Sequence, residues 1–265
     1  MTQPLPDHLD ITGCDKEAIR TPGSIQPHGF MLTLSPDLEV LQSSANLAHW
    51  TGVDVQEVLG RPLAAAIGTA ASERLILELG SGTLGQRPGY LGTVTLANGR
   101  HFDVLAHAWD GLVIAEFEAV ERAQPAEFRH LYPLITDFLA RVNEHASIPA
   151  LSDLAARHVR SVTGYGRVMV YQFDPSGHGR VVAESKAPDY DSYLGQSFPS
   201  SDIPAQAREL YTLSPIRLIQ DANYQPAPLV PGANPVTGNR NDLSFAVLRS
   251  VSPVHLQYMR NMGTL

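Results

Sequence analysis

The sequence lacks the features that mark exported and membrane-spanning proteins. It has one cysteine, Cys14, so no internal disulfide can form. No apolar run approaches the ~18 residues that a membrane-spanning helix needs. Residues 1–11 are polar and contain no apolar stretch of the kind found in signal peptides. We therefore expect a cytoplasmic protein with no membrane partner.

Positive charge is scarce and scattered along the chain. The 265 residues include 19 lysines and arginines against 27 acidic residues, which gives a formal net charge of -8. A nucleic-acid partner requires a basic patch or stripe, and an anionic membrane surface attracts the same feature. Because the sequence has neither, we expect neither partner.

The motifs of common catalytic chemistries are missing as well. There is no Gly-x-x-x-x-Gly-Lys-Ser/Thr phosphate loop, and no close cluster of histidine, cysteine and aspartate suggests a metal site. Cys14 and His28 lie in a segment without a glycine-rich elbow, which disfavours a cysteine protease. We therefore expect no enzyme that turns over a substrate.

The residues that are present predict two α+β domains. Hydrophobic residues make up 43% of the chain, which is enough for two cores. Residues 1–23 contain breakers and form an N-terminal segment. Residues 24–120 alternate in the β pattern, with hairpin turns at Asn98-Gly99 and Asp110-Gly111 and short helices after the second strand. That order is the outline of a PAS domain.

Residues 121–265 predict a linker and a second α+β domain. Amphipathic helices over Phe128–Glu144 and Leu151–Val162 precede strands over Arg167–Asp174 and Arg180–Glu184. Leu243–Arg249 is a further strand-like run. Two or three strands are too few for a self-sufficient core. We therefore expect that the chain is part of a longer protein and that this domain is incomplete at its C-terminal end.

The stretch Asp202-Ile203-Pro204 marks the start of a helix within a long loop. Pro204 suits a first helical turn, and Ile203 is pushed toward extended geometry by the proline that follows. Local sequence alone favours an ordinary N-cap at Ser201 or Asp202. The loop around it, residues 186–240, is long enough that a binding function is the other interpretation.

Two arginines and several polar and aromatic residues indicate a ligand site in the second domain. Arg217 and Arg249 lie at the ends of strand-like runs, and the guanidinium fork suits carboxylates. Hydrogen bonds can come from Tyr211, Ser252, His255 and Tyr258, and apolar walls from Met169, Tyr171 and Phe198. The implied ligand is flat, largely apolar and carries carboxylates. The alternative is that the arginines form surface ion pairs and the aromatics form the core.

Three motifs in this order resemble the bacterial phytochromes. They are Ile25-Gln-Pro-His-Gly29 after the single Cys14, Phe198-Pro-Ser-Ser-Asp-Ile-Pro-Ala-Gln-Ala-Arg208, and Val247-Leu-Arg-Ser-Val-Ser-Pro-Val-His-Leu-Gln-Tyr258. The resemblance covers essentially the whole chain. It implies a PAS domain (24–120) followed by a GAF domain (121–265), with antiparallel sheets flanked by helices. It also implies a figure-of-eight knot, in which the segment near Ile25 passes through a lasso of residues about 222–245.

The resemblance further implies covalent binding of biliverdin, a linear tetrapyrrole with two propionates. Cys14 would form a self-catalysed thioether with the ring A vinyl group. The Asp202 carbonyl, and His255 through a water, would hold the pyrrole N–H groups. The propionates would bind Arg217 and Arg249 with help from Tyr211 and Ser252. Ring D, which rotates after red-light absorption, would be surrounded by Tyr171, Phe198, Ile203 and Tyr258. In the far-red form the Asp202 carboxylate would bond the ring D N–H.

The resemblance also implies a larger context, a red/far-red photoreceptor. Its parent protein would be a homodimeric sensor histidine kinase whose output domain is absent here. Missing GAF strands and a missing last helix would weaken the far-red photoproduct. The alternative function is a PAS-GAF module that binds a ligand or mediates dimerisation without photochemistry.

Overall fold

A computed structural model describes residues 17–80, 82, 84–120, 127–144, 147–214 and 216–261. The chain divides into two compact units. The first contains the described residues of 1–123 and 206–265, and the second contains those of 124–205. Each unit combines helices with an antiparallel sheet, so the predicted α+β class with helix-flanked antiparallel sheets is confirmed.

The first unit contains a seven-stranded antiparallel sheet. Its spatial order is β1-β10-β3-β2-β6-β5-β4. The strands are β1 (Ser24–Ile25), β2 (Gly29–Leu34), β3 (Val40–Ser44), β4 (Gly89–Thr95), β5 (His101–Trp109), β6 (Leu112–Val120) and β10 (Ala227–Val230). The hairpins predicted at Asn98-Gly99 and Asp110-Gly111 join β4 to β5 and β5 to β6, as the alternating pattern indicated.

Four helices cover one face of this sheet. They are α1 (Leu47–Thr51), α2 (Val55–Val58), α3 (Ala64–Ile67) and α4 (Thr69–Gly80). Phe30, Leu32 and Leu34 of the central strand β2 face them in one apolar cluster. Phe30 stacks on Phe117 with ring centroids 4.4 Å apart. This layer is the larger core of the unit.

The opposite face of the sheet is covered by a long irregular segment, residues 231–248. Its Leu243, Ala246 and Leu248 pack in a second apolar cluster that includes Met31 of β2. All six residues of β2 are therefore buried, on both faces of the strand. A sheet with two apolar faces needs two covering layers, and the second layer here is loop rather than helix.

The strand-like run Leu243–Arg249 is not a strand, so that prediction was wrong. It forms turns, with a single β-bridge between Arg249 and Ile25. The apolar residues of the run are buried against the sheet, and side chains supply partners for its backbone. Glu116 accepts a hydrogen bond from Leu248 N at 2.6 Å, and Arg217 donates one to Val247 O at 3.1 Å. Every residue of the run except Val247 is buried, and this near-complete burial produced the pattern that resembled a strand.

A buried polar network holds the same segment against the sheet. Asn241 donates to Thr33 Oγ1 at 2.9 Å and to Gln42 Oε1 at 2.6 Å, and Asn234 donates to Asn241 Oδ1 at 2.9 Å. Gln42 in turn donates to Pro231 O at 2.7 Å. A buried amide group without a hydrogen-bond partner costs free energy. This network therefore holds the segment in one position against the sheet, in addition to the apolar contacts.

The N-terminal strand β1 lies between β10 and the segment around Arg249. Ser24 and Ile25 pair with Pro228 and Ala227, and Gln26 N donates to Leu248 O at 2.7 Å. Strand β1 therefore has a hydrogen-bonded neighbour on each side, β10 on one and the segment around Arg249 on the other. The knot and the lasso boundaries stay a prediction.

The second unit consists of two helices and a small sheet. Its elements are α5 (Glu127–Glu144), α6 (Ile148–Thr163), β7 (Arg167–Phe173), β8 (Gly179–Lys186) and β9 (Ser197–Phe198), with sheet order β7-β8-β9. Ser147 caps α6 by accepting from Ala150 N, and Gly164 ends it at φ 72°. The predicted strand pair agrees with β7 and β8 to within two residues.

Two further helices are α7 (Ala205–Leu213) and α8 (Pro253–Asn261). Helix α7 begins directly after Pro204, so the predicted N-cap residues Ser201 and Asp202 lie in the turn before the cap position. Pro253 opens α8, and Ser252 Oγ accepts from His255 N at 3.3 Å as the predicted N-cap. The start of α8 was therefore predictable from the sequence.

Glu116 of β6 is a completely buried carboxyl group. Burial, the dominant effect, raises its pKa from 4.5 to about 7, while hydrogen bonds from the backbone of Leu248 and Val247 and the charge of Arg217 oppose the rise. The folded protein therefore keeps this proton over a pH range in which the unfolded chain releases it. Stability is lost as pH rises from 4.5 to about 7, because the folded state binds more protons there.

We predict that Glu116→Gln removes this pH dependence. The glutamine oxygen can still accept from Leu248 N, and it carries no proton to lose. The unfolding free energy of the variant minus that of the wild type should rise by up to about 3 kcal/mol between pH 4.5 and 7. Urea unfolding at several pH values measures it. The exposed Glu57→Gln is the control, and a constant difference for Glu116→Gln would contradict the assignment.

Candidate functional site

The two predicted arginines of the site lie close together in the first unit. Arg217 donates to the carbonyl oxygens of Val247 and Arg249, and Arg249 donates to Ile19 O at 3.2 Å. Arg249 is only 7% exposed, and its buried Nε has no hydrogen-bond partner. Backbone carbonyl groups thus hold both guanidinium groups in place, and the Nε–H donor of Arg249 stays unused.

The electrostatics of this pair favour an anion. Burial, followed by the charge of Arg249, lowers the pKa of Arg217 to about 10, and burial lowers the pKa of Arg249. No ion pair joins either guanidinium to a carboxylate in the part of the chain that the structure describes. The charges of Asp242 and Glu116 oppose the fall in the pKa of Arg249, and Glu116 is about half ionised at pH 7 because its pKa is about 7. Neither carboxylate forms an ion pair with the two poorly solvated guanidiniums, which therefore remain available to a ligand carboxylate.

The start of α8 adds polar groups beside the arginines. Ser252 Oγ donates to the Glu17 carboxylate. Burial and, secondarily, the charge of Arg217 lower the pKa of His255, so its imidazole is neutral at pH 7. A neutral imidazole can both donate and accept a hydrogen bond. Tyr258, one turn further along, is about one-third exposed.

Helix α7 contributes Tyr211 and contacts the N-terminal segment. Burial raises the pKa of Tyr211, and the charge of Arg217 opposes that rise, so the hydroxyl stays protonated and able to donate. Gln206 donates to Glu17 O at 3.1 Å, and Arg20 pairs with Glu209 at 2.8 Å. The chain from Glu17 to Arg20 is therefore bound along α7 and α8.

In the second unit, the predicted apolar residues share one face of β7. Met169, Tyr171 and Phe173 alternate along the strand, and Tyr171 lies 5.1 Å from Phe173 and 6.0 Å from Phe198 between ring centroids. Met169 is 40% exposed. Gly179 on β8 allows this arrangement, because a Cβ there would lie about 2 Å from the Tyr171 ring. The face is a flat, exposed apolar surface.

The stretch Ser201-Asp202-Ile203 lies in the turn before α7, also in the second unit. Asp202 N donates to Pro199 O at 3.1 Å, and Ser201 Oγ lies 3.5 Å from Asp202 Oδ1. The structure thus places Tyr211, Arg217, Arg249, Ser252, His255 and Tyr258 in one unit, and Met169, Tyr171, Phe198, Ser201, Asp202 and Ile203 in the other. Cys14 lies outside the described residues.

Sequence reasoning missed two residues that organise the arginine pair. Gln26 donates to Leu218 O at 2.9 Å and Arg249 O at 3.4 Å, which ties the N-terminal strand to both arginine segments. Glu17 is not among the predicted site residues, although its carboxylate accepts a hydrogen bond from Ser252. The position of Gln26 within the Ile25–Gly29 motif was the one signal available.

Other classes of site find little support in the described ranges. No group of three or more histidine, cysteine, aspartate and glutamate side chains there could hold a metal ion. None of the helices in those ranges combines the length and apolar character that crossing a bilayer requires.

Comparison with known proteins identifies relatives of the whole chain. The family description "PAS fold" matches residues 14–120. Cyanobacterial phytochrome B of a Nostoc species is 40% identical over 98% of this chain and 35% of its own length. The bacteriophytochrome of Pseudomonas aeruginosa is 38% identical over 96% of this chain and 34% of its own length. The chain thus spans about a third of the length of these relatives.

Solved structures give the same result for the fold. The chromophore-binding domain of an unusual bacteriophytochrome from R. palustris has 40% identity and a TM-score of 0.84, covering 94% of this chain and 81% of that one. The corresponding domain of Stigmatella aurantiaca phytochrome P1 has 39% identity and a TM-score of 0.83, with 94% and 82% coverage. The predicted order of a PAS domain followed by a GAF domain is confirmed, and the chain belongs to the bacteriophytochrome family as the PAS-GAF portion of a photosensory module.

Proposed function

We propose that this protein is the light-sensing part of a red/far-red photoreceptor that binds biliverdin covalently through Cys14. When bound, the bilin supplies the absorption of red light and the isomerisation that follows it. The protein supplies the pocket, the attachment site and the hydrogen bonds that distinguish two states. The domain division at residues 24–120 and 121–265 is part of this proposal.

The observation that carries the proposal is the unmatched arginine pair. Arg217 and Arg249 are held by backbone carbonyls, poorly hydrated and without a carboxylate partner among the described residues. A ligand with two carboxylates would supply the missing charge, and charge-assisted hydrogen bonds to guanidinium are among the strongest available. The buried, unpartnered Nε of Arg249 fits such a group. Tyr211 and Ser252 would assist.

The position of Glu17 supports attachment at Cys14. Cys14 lies three positions before Glu17 in the sequence, a reach of at most about 11 Å of extended chain. Glu17 is bonded to Ser252 and to α7, next to the arginine pair. The thiol would add across the ring A vinyl group: a carbon–sulfur bond forms, the double bond is consumed, and the thiol proton moves to the other vinyl carbon. No oxidant is needed.

The remaining residues would hold the ring system and its two states. His255, neutral at pH 7, would contact the pyrrole N–H groups through a water, and the Asp202 carbonyl would contact them directly. Tyr171, Phe198, Ile203 and Tyr258 would surround ring D, with Met169 as a further apolar wall and Ser201 beside Asp202. The Asp202 carboxylate would bond the ring D N–H in the far-red form, giving a bistable element.

The whole protein would be a dimeric sensor histidine kinase located in the cytoplasm. The chain covers about a third of its curated relatives, two of which are bacteriophytochromes, so this context belongs to the proposal. The competing function, a PAS-GAF module without photochemistry, is the conclusion if the experiments below fail.

We predict that Cys14→Ala abolishes covalent attachment. The purified chain would be mixed with biliverdin, denatured and inspected on a gel for zinc-induced bilin fluorescence. The wild type should give a covalent band, and Cys14→Ala should give none, because it has no other thiol. An undiminished band in the variant would contradict the assignment of Cys14.

We predict that Arg249→Gln weakens biliverdin binding by about 10- to 100-fold, since one charge-assisted contact is worth about 1.5–3 kcal/mol. Absorbance titration in the Cys14→Ala background isolates the non-covalent step. Arg87→Ala, an exposed arginine of the first unit, is the control. Biliverdin dimethyl ester, whose esterified propionates carry no charge, should bind the wild type and Arg249→Gln with the same affinity. Equal losses for acid and ester would indicate a structural effect rather than a propionate contact.

We predict that Asp202→Ala alters photoconversion but not attachment. Red-minus-far-red difference spectra of the bilin-loaded chain, and of a version extended to the full photosensory module, measure the far-red product. The variant should lose most of that signal while its zinc-fluorescent band is kept. An unchanged photocycle in the extended version would eliminate the proposed role of the Asp202 carboxylate.

A further inference from the structure

The first unit contains a cavity that none of the proposed bilin contacts line. It has a volume of about 340 Å³ and is lined by Gln26, Pro27, His28, Trp50, Ala119, Gln220, Asp221 and Tyr224. That volume lies in the range of small-molecule sites. The cavity lies between helix α1, strand β6 and the loop before β10.

Two buried nitrogen atoms at this cavity have no hydrogen-bond partner. They are Nε1 of Trp50 and Nε2 of His28. The His28 side chain is only 10% exposed, and the Glu118 carboxylate lies 3.5 Å from Nε2. That carboxylate favours the tautomer with the hydrogen on Nε2, which makes Nε2 a donor, but the distance is too long for a good hydrogen bond. A buried donor without a partner costs about 1–3 kcal/mol, so such groups normally meet protein, water or ligand.

Three other residues of the lining already have partners. Tyr224 Oη accepts from Val251 N at 2.6 Å, and Gln26 bonds Leu218 O and Gln220 N. Asp221 Oδ1 accepts from Asn223 N at 2.7 Å and leaves carboxylate capacity at the rim. The nitrogen atoms of His28 and Trp50 are therefore the groups at this cavity that a ligand would satisfy.

The Trp50 ring is held rigidly in its position. Phe102 packs edge-on with centroids 5.7 Å apart, and the Arg100 guanidinium lies 5.2 Å from the ring centroid. Arg100 also donates to His49 O at 2.7 Å, and Asn98 donates to Trp50 O at 2.8 Å. A fixed indole makes a preorganised donor and an apolar wall, which lowers the entropic cost of binding.

Charge decides which class of molecule fits. Glu118 and Asp221 make the surroundings negative, which disfavours an anion. A simple cation offers no acceptor for the two N–H groups. A neutral carbonyl oxygen satisfies the donors, a flat ring suits the Trp50 and Tyr224 walls, and an amide N–H can reach an acid at the rim.

We propose that this cavity is a second ligand site, which binds a small uncharged aromatic amide or lactam through the orphan donors of His28 and Trp50. The site lies apart from the arginine pair and does not require a bound bilin. Gln26 links the two, because it lines the cavity and bonds Arg249 O.

The test uses benzamide as the probe and the indole signals of the ¹⁵N-labelled full chain as the readout. The chain has two tryptophans, and Trp109 packs in the second apolar cluster rather than in the cavity, so it is an internal control. Benzamide should shift the Trp50 indole N–H signal saturably, with a Kd on the order of 1 mM, and should leave the Trp109 signal in place. Trp50→Phe assigns the signals.

Toluene, which has no carbonyl, and benzoate, which is an anion, should each shift the Trp50 signal at least tenfold less at equal concentration. Ala119→Leu, which fills the cavity, should abolish the benzamide shift while keeping the Trp109 signal that reports the folded sheet. If Ala119→Leu does not fold, the comparison of benzamide, toluene and benzoate on the wild type still tests the proposal. No Trp50 shift, equal shifts of both indoles, or an equal response to toluene would overturn the proposal and leave only water as the occupant.

Discussion

The burial of both faces of strand β2 is the constraint on which the rest of the first unit depends. Phe30, Leu32 and Leu34 face the helices, while Met31 faces away from them. Helices α1 to α4 cover only the first face. Residues 231–248 therefore cover the second face, although they come from more than one hundred positions later in the sequence. Burial of that apolar area is the main driving force for such a distant contact.

An irregular covering layer needs polar partners that a strand would find in its neighbours. Asn241, Gln26 and Glu116 provide them, and each joins the sheet or the N-terminal strand to the covering segment. The same requirement places the arginines, since Arg217 donates to the carbonyl groups of Val247 and Arg249. The position of the cationic site thus follows from the hydrogen bonds that the backbone carbonyl groups of the loop require. Its ligand affinity and the stability of the loop are coupled through these bonds.

Local signals in the sequence predicted the hairpins and the start of α8 well. Asn98-Gly99, Asp110-Gly111 and the Ser252-Pro253 pair act within a few residues, so their effect does not depend on the remaining fold. The failure at Leu243–Arg249 has the opposite cause. Every residue of this run except Val247 is buried, and a short run buried against a distant sheet looks the same in sequence as a buried strand. Gln26, Glu17 and Glu116 were missed because their partners lie 190 or more, 235 and 132 positions away.

The junction at Gln26 separates two surfaces of opposite chemistry. On one side lie the guanidiniums of Arg217 and Arg249, which form no ion pair with a described carboxylate, and on the other Glu118 and Asp221 lie near the unpartnered nitrogen atoms of His28 and Trp50. Gln26 bonds the carbonyl group of Arg249 that Arg217 also contacts, so the two surfaces share one set of hydrogen bonds. A ligand that altered these bonds from either side would alter binding on the other side by the same factor, because linkage is reciprocal.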